Sequence, residues 1–210
     1  MPNRPESRAI AGPAGKLDSR WHGPKDGRPV VILHPHPLAG GTMGNRVVYD
    51  LAVALAADSW RVVRFDFRGV GRSEGEYGNG AGEAEDAIAV LAAVEADTGQ
   101  RPVLVGYSFG GAVAVRAAAL RPVERLVLVA TPAQVLGTSL DGFADAPRVT
   151  APTHLVVGDR DPYVSVQQAK ALAAAFHPEA GLTILAAASH FLEPGDNPRV
   201  LAAVRAALRD

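Results

Sequence analysis

Residues 106–110 read Gly-Tyr-Ser-Phe-Gly, a G-x-S-x-G pentapeptide set between the apolar run Val103–Val105 and an alanine-rich segment. A chain that reverses sharply from strand to helix forces its central residue into strained backbone space and leaves no room for side chains two residues to either side. A serine there has its hydroxyl held clear of the sheet, at the positive end of the following helix. The Phe109 N–H then points at any oxyanion that forms. The competing reading is a tight turn in which Ser108 only caps the helix.

A serine hydroxyl becomes nucleophilic when a base takes its proton, and the base needs an acid to orient it. Of six histidines, His190 directly follows the last apolar run, in AAASHFLEP. His22, His154 and His177 fall in an early strand, at a strand's beginning and at a helix's end, which are poor places to meet Ser108. For the acid, VVGDRDPYV ends a strand with two candidates. Asp161 precedes Pro162, which biases it towards extended backbone on a loop, and it is favoured over Asp159, which can simply bond loop amides. Asp141 and Asp145 are more distant candidates. The order Ser108, Asp161, His190 is the order this strand–turn–helix chemistry uses.

A rival chemistry lies in His34-Pro35-His36-Pro37. In an extended segment His34 and His36 project to the same side, as a metal pair would. Such motifs need further ligands at matched spacing, and Leu38, Ala39 and Gly40-Gly41 supply none. The expectation is no metal. FRGVGRSEG has Gly69, Gly71 and Gly75, which is not the G-x-G-x-x-G of a phosphate-binding turn. Arg72 and Ser73 are expected to cap or brace that loop, and Tyr77 is a candidate for reaching the site mouth, which the sequence does not decide.

These residues need elements to position them. Short β-rich runs alternate with Ala/Leu-rich helical patterns. Strands are expected near Arg8–Ala11, Lys16–His22, Val30–Leu33, Trp60–Phe67, Val103–Gly106, Arg125–Ala130, Thr153–Val157 and Leu182–Ala186. Helices are expected near Arg46–Ala57, Glu83–Ala96, Phe109–Leu120, Ser165–Phe176 and Asn197–Arg209, with Asn45 and Asn197 as N-caps and Pro198 at a first helical position. The central strands are unbroken apolar runs such as VVIL and RLVLVA. That pattern belongs to strands buried on both faces of a parallel sheet. The expected fold is α/β: a mostly parallel, doubly wound sheet of about eight strands with helices on both faces. Sites in such sheets lie outside the strands' C-terminal ends, where Ser108, Asp161 and His190 all fall.

Composition bounds the rest. A chain of 210 residues with 48% hydrophobic and 20% charged residues suits one domain, 1–210, with residues 1–7 as a loose tail. The net charge of −1 gives no reason to expect nucleic acid or an anionic membrane as partner. There is no cysteine, so thiolate nucleophiles, disulfides and Cys-ligated zinc are excluded. MPNRPESRAIAGPAGK has no apolar core of a secretory signal, and no apolar run reaches membrane-spanning length. The expectation is a cytoplasmic protein acting on a small-molecule acyl substrate. No feature speaks to oligomeric state.

GYSFGG, GDRDPYV and SHF together resemble the α/β-hydrolase superfamily, and FDFRGVGRSEGEY resembles the loop after its fourth strand. HPHPLAGGTMGNRVVYDLA is similar, more narrowly, to small bacterial serine hydrolases related to the dienelactone hydrolase group. The resemblance runs from about residue 8 to the C-terminus. Dienelactone hydrolases use a cysteine nucleophile where this chain has Ser108, which sets dienelactone itself apart as a substrate. The resemblance implies a serine esterase or thioesterase without cofactor: Ser108 as nucleophile, His190 as base, Asp161 as orienting acid. Amide cleavage by the same groups and a non-catalytic binding protein on the same fold remain alternatives. Related enzymes often carry His-Gly-x after the third strand and donate from the x amide. By that alignment the second oxyanion donor, beside Phe109, is the His36 N–H, since Pro35 and Pro37 have none. The family's cap domain would lie within Thr131–Pro152, which is too short for one. Leu38, Tyr107, Leu136, Leu140 and Phe143 are candidates for lining an apolar acyl pocket; a surface loop with anchoring apolar side chains is the alternative for 131–152.

Overall fold

The computed structural model of the protein describes residues 4–209. Of the segment 1–7 expected as a loose tail, residues 1–3 lie outside the described residues, and Glu6 and Ser7 are not tail but begin the first strand, paired with Trp21 and Arg20. The strands are β1 (Glu6–Gly12), β2 (Gly15–His22), β3 (Pro29–Leu33), β4 (Arg61–Phe65), β5 (Val103–Tyr107), β6 (Leu126–Val129), β7 (Thr153–Gly158) and β8 (Gly181–Leu185). The helices are α1 (Arg46–Ala57), α2 (Ala81–Thr98), α3 (Phe109–Leu120), α4 (Gly142–Asp145), α5 (Val166–Ala175) and α6 (Asn197–Ala207).

One sheet holds all eight strands in the order β1-β2-β4-β3-β5-β6-β7-β8. The hairpin β1–β2 and its junction with β4 are antiparallel, and every pairing from β4 to β8 is parallel. The unbroken apolar runs make sense in this setting. Successive side chains along a strand alternate between faces, so each run feeds two cores. In β3, Val31 and Leu33 face the core shared with α2 and α3, while Val30 and Ile32 face the core shared with α1 and α6. In β5, Leu104 goes to the first core, and Val103, Val105 and Tyr107 go to the second.

Three local differences from the sequence reading have physical reasons. α2 begins at Ala81, ahead of Glu83, because the buried Glu83 carboxylate reaches back to accept from the Gly78 and Gly80 amides (2.8 and 2.7 Å) and caps the helix from inside. Asn197 is not an N-cap. It lies within α6, and its side chain joins Arg46 to Asp50 instead. The interval Thr131–Pro152, expected to be too short for a cap domain, is not wholly irregular: it contains α4, capped by the Asp141 carboxylate, and a 3-10 turn at Ala146–Arg148. Asn45 caps α1 through the Val47 amide. Among the described residues no helix is long and apolar enough to cross a membrane.

The loop after β4 is held by charge. The fully buried Asp86 of α2 accepts from the Arg68 backbone N–H (2.9 Å), from Nε and from Nη2 (2.8 Å). Such a pair is best tested by breaking it, because removing one partner strands a desolvated charge. Asp86→Ala is expected to lower the unfolding free energy by about 3 kcal/mol. Urea denaturation measures it, and an unchanged midpoint would contradict the assignment.

Candidate active site

Ser108 sits where β5 turns into α3, with φ 55° and ψ −122°. This is strained backbone for a residue with a side chain. The two glycines make the turn possible. A Cβ on Gly106 would lie 2.4 Å from the Gly110 carbonyl oxygen, and one on Gly110 would lie 2.5 Å from the His34 carbonyl oxygen. Both distances are impossible, so strand, turn and helix approach at backbone contact.

Three loops then meet. Ser108 Oγ lies 2.9 Å from His190 Nε2, and His190 Nδ1 lies 2.7 Å from Asp161 Oδ2. A carboxylate only accepts, so Nδ1 carries the proton and Nε2 is left to accept from the serine hydroxyl. The second Asp161 oxygen accepts from the Tyr163 and Val164 amides (2.8 and 2.9 Å). Those bonds fix the carboxylate as well as its loop. Asp159 accepts from the Ala187 amide (2.6 Å) and so braces the neighbouring loop away from this chain of bonds. Asp141 caps α4, and Asp145 pairs with Arg116.

The histidine is fastened through its backbone. The Tyr107 hydroxyl donates to the His190 carbonyl (3.0 Å), and burial pushes that phenol up to about 12, so it stays a donor. Arg46, at the start of α1, donates to the carbonyls of Phe191 (3.2 Å) and Leu192. Sequence reasoning missed Arg46. Its partners are well over a hundred residues away, and no local pattern marks it.

His34 and His36 have different partners. His34 is fully buried. Its Nε2 accepts from the Phe67 amide (3.1 Å), which leaves Nδ1 to donate to the Pro35 carbonyl (2.7 Å). Both nitrogens are committed to backbone, and burial holds the imidazole down to about 4. The His36 Nδ1 accepts from the Leu38 amide (3.2 Å), and its Nε2 faces the Tyr77 hydroxyl at 3.3 Å. Its ring packs 4.6 Å from that of Phe109. Among the described residues the His36 and Phe109 amides donate to no other group of the protein. No group of three or more His, Asp or Glu among the described residues is arranged to hold a metal ion.

The expected lining residues separate. Leu38 (73% exposed) and Phe143 remain accessible. Tyr107 does not line a pocket, because its side chain is buried behind His190 and spent on that residue's carbonyl. Leu140 is corrected too: at 3% exposure it belongs to the core, where it packs over Gly80. Leu136, 98% exposed, projects into solvent and covers nothing. Two further side chains, Tyr163 and Phe191, flank the His190 ring. Their only signal in the sequence was position, Tyr163 two residues after Asp161 and Phe191 next to His190.

Comparison with known proteins places the fold in a family. The alpha/beta hydrolase fold family matches residues 28–144. A Coxiella burnetii alpha-beta serine hydrolase homologue superimposes with a TM-score of 0.86 at 38% identity, covering 98% of both chains. A Xanthomonas campestris serine hydrolase described as lacking a lid gives 0.83 at 28% identity, covering 100% of this chain and 95% of the other. An uncharacterised Rickettsia prowazekii protein is 32% identical over 166 residues, 77% of this chain and 69% of its own length.

Burial of His34 and His22 has a thermodynamic consequence. Desolvation holds both near 4, against an ordinary value of 6.5, and for His22 the charges of Arg64 and Arg61 add to it. As pH falls below 6.5 the unfolded chain takes up protons that the folded chain refuses, so stability is lost between about 6.5 and 4. The limiting slope is about 1.4 kcal/mol per pH unit for each histidine. An NMR titration of the His34 imidazole with its midpoint at 6.5 would contradict this.

Proposed function

The chain belongs to the alpha/beta hydrolase fold family, and from that premise we propose a serine hydrolase cleaving small carboxylic esters or thioesters through an acyl-enzyme on Ser108. The observation that carries the reading is the continuous bond chain Ser108–His190–Asp161, ending on a strained serine at the start of α3.

In the proposed reaction the Ser108 oxygen attacks the acyl carbon while His190 Nε2 takes its proton. Asp161 holds the reactive tautomer and stabilises the imidazolium. Collapse of the tetrahedral intermediate returns the proton to the leaving oxygen or sulfur. Water then enters, gives its proton to Nε2 and releases the acid, restoring the serine. The oxyanion is taken by the amides of Phe109 and His36. Support for His36 comes from its ring contact with Phe109, from its uncommitted amide and from the prolines on either side, which have no N–H to offer. No step requires a cofactor. Without a cap the site is open, which favours small, unselective acyl groups.

Ser108→Ala is expected to abolish fluorophosphonate labelling and to reduce p-nitrophenyl acetate hydrolysis to buffer background; an active variant refutes the assignment and favours a binding role for the fold. Asp161→Asn is expected to cost about three to four orders of magnitude in kcat. If Asp159→Asn costs more, the acid is misassigned. Esters, acyl-CoA thioesters and anilides assayed side by side separate ester, thioester and amide cleavage.

The His36 amide has its own test. Its φ of −56° already suits proline. His36→Pro removes the donor and is expected to lower kcat by roughly a hundred- to a thousand-fold. His36→Ala keeps the amide and is expected to retain most activity. Equal losses in the two variants would transfer the role to the imidazole.

A further inference from the structure

Two aromatic side chains stand against His190 without taking part in its hydrogen bonds. Tyr163 and Phe191 are 62% and 59% exposed. Their ring centroids lie 4.9 and 5.7 Å from the imidazole and 6.1 Å from each other, edge to face in all three pairs. Three other rings carry an arginine: Arg8 over Trp21 (4.4 Å), Arg28 over Trp60 (4.7 Å) and Arg64 over Tyr49 (5.1 Å). Among the described residues no arginine or lysine stacks on Tyr163 or Phe191.

Both rings are displayed from fixed backbone. The Tyr163 N–H donates to Asp161 Oδ1 (2.8 Å), and the Phe191 carbonyl accepts from Arg46 (3.2 Å). Rings on anchored backbone lose little freedom when a ligand packs on them, which is the condition for preorganised binding.

The direction of the reaction decides what packs there. Once Nε2 has taken the Ser108 proton, it must hand it to the leaving oxygen, which therefore comes within hydrogen-bond reach of Nε2. The oxyanion is turned the other way, towards the Phe109 amide. The carbon group on the leaving oxygen therefore starts beside the imidazole that Tyr163 and Phe191 flank. Resting on the serine hydrolase reading, we propose that Tyr163 and Phe191 form the leaving-group subsite and that the preferred substrates are esters of alcohols bearing an aromatic ring.

The atoms balance so that the subsite acts in one half of the cycle. In acylation the Ser108 Oγ–C bond forms, the C–O bond to the alcohol breaks, and the serine proton leaves on the alcohol by way of Nε2. The alcohol has gone before water forms the second C–O bond, the Oγ–C bond breaks and the proton returns to Ser108. A leaving-group subsite therefore affects acylation and leaves deacylation alone.

The experiment compares kcat/KM for benzyl acetate and methyl acetate, whose alcohols are of comparable acidity, in the wild type, Tyr163→Ala and Phe191→Ala. Deacylation is read separately, from steady turnover of p-nitrophenyl acetate after its burst. Each alanine variant is expected to lower the benzyl-to-methyl ratio by roughly tenfold, with the deacylation rate retained, and Tyr163→Phe and Phe191→Tyr are expected to restore the ratio. An unchanged ratio, or deacylation that slows in step with acylation, overturns the subsite. A wild-type protein that gives neither a burst nor acetyl-Ser108 by mass spectrometry overturns the acyl-enzyme reading itself, and the subsite with it.

Discussion

The close approach of β5 and α3 at Ser108 is the constraint on which the rest depends. A non-glycine residue at φ 55° and ψ −122° costs on the order of 1–3 kcal/mol. It persists because the surroundings leave no alternative. β5 is clamped between β3 and β6 in the middle of the sheet, and α3 is fixed by burial of most of its length. Only two glycines admit the turn, because any Cβ at 106 or 110 would meet backbone oxygen. Strain at this point and rigidity of the sheet are two sides of one arrangement.

The partners of Ser108 are positioned mainly through backbone. The loops after β3, β4, β7 and β8 all emerge at the same edge of the sheet, and side chains bonded to peptide groups tie them together. His34 holds the Phe67 amide. Asp66 accepts from the Met43 amide, and Arg64 donates to the Met43 carbonyl (2.6 and 2.7 Å). Tyr107 and Arg46 hold the carbonyls of residues 190–192. Asp161 spends one oxygen on its own loop and the other on His190. Buried polar groups need partners. Here that requirement converts loose connections into a frame.

Openness is the other property of the site. With only a short helix and a 3-10 turn in the interval that a cap would occupy, the proposed substrate meets the rim of the site directly. The rim is aromatic on the histidine side, with Tyr163 and Phe191, and mixed on the other, with His36, Tyr77 and Leu38. Burial pushes the His36 imidazole below its ordinary value, although Glu83 opposes the shift.

The sequence by itself determined the alternation of strand and helix, the two-faced burial of the parallel strands, the turn at Gly106–Gly110 and the order in which serine, aspartate and histidine follow one another. Those features are written in neighbours: residue period, β-branched runs and the steric exclusion of side chains next to a sharp reversal act over a few residues. The choice between Asp161 and Asp159 was legible only in part, through Pro162. Tertiary structure alone decided that Asp161 meets His190, that Tyr107 serves from inside the core, that Leu140 packs on Gly80, and that Asn197 binds Arg46 rather than capping its helix. It alone brought Arg46 to a loop 145 residues away and left two rings uncovered beside the imidazole. Such contacts join segments that share no local pattern, and they exist only once the packed sheet has brought the ends of its strands to one edge.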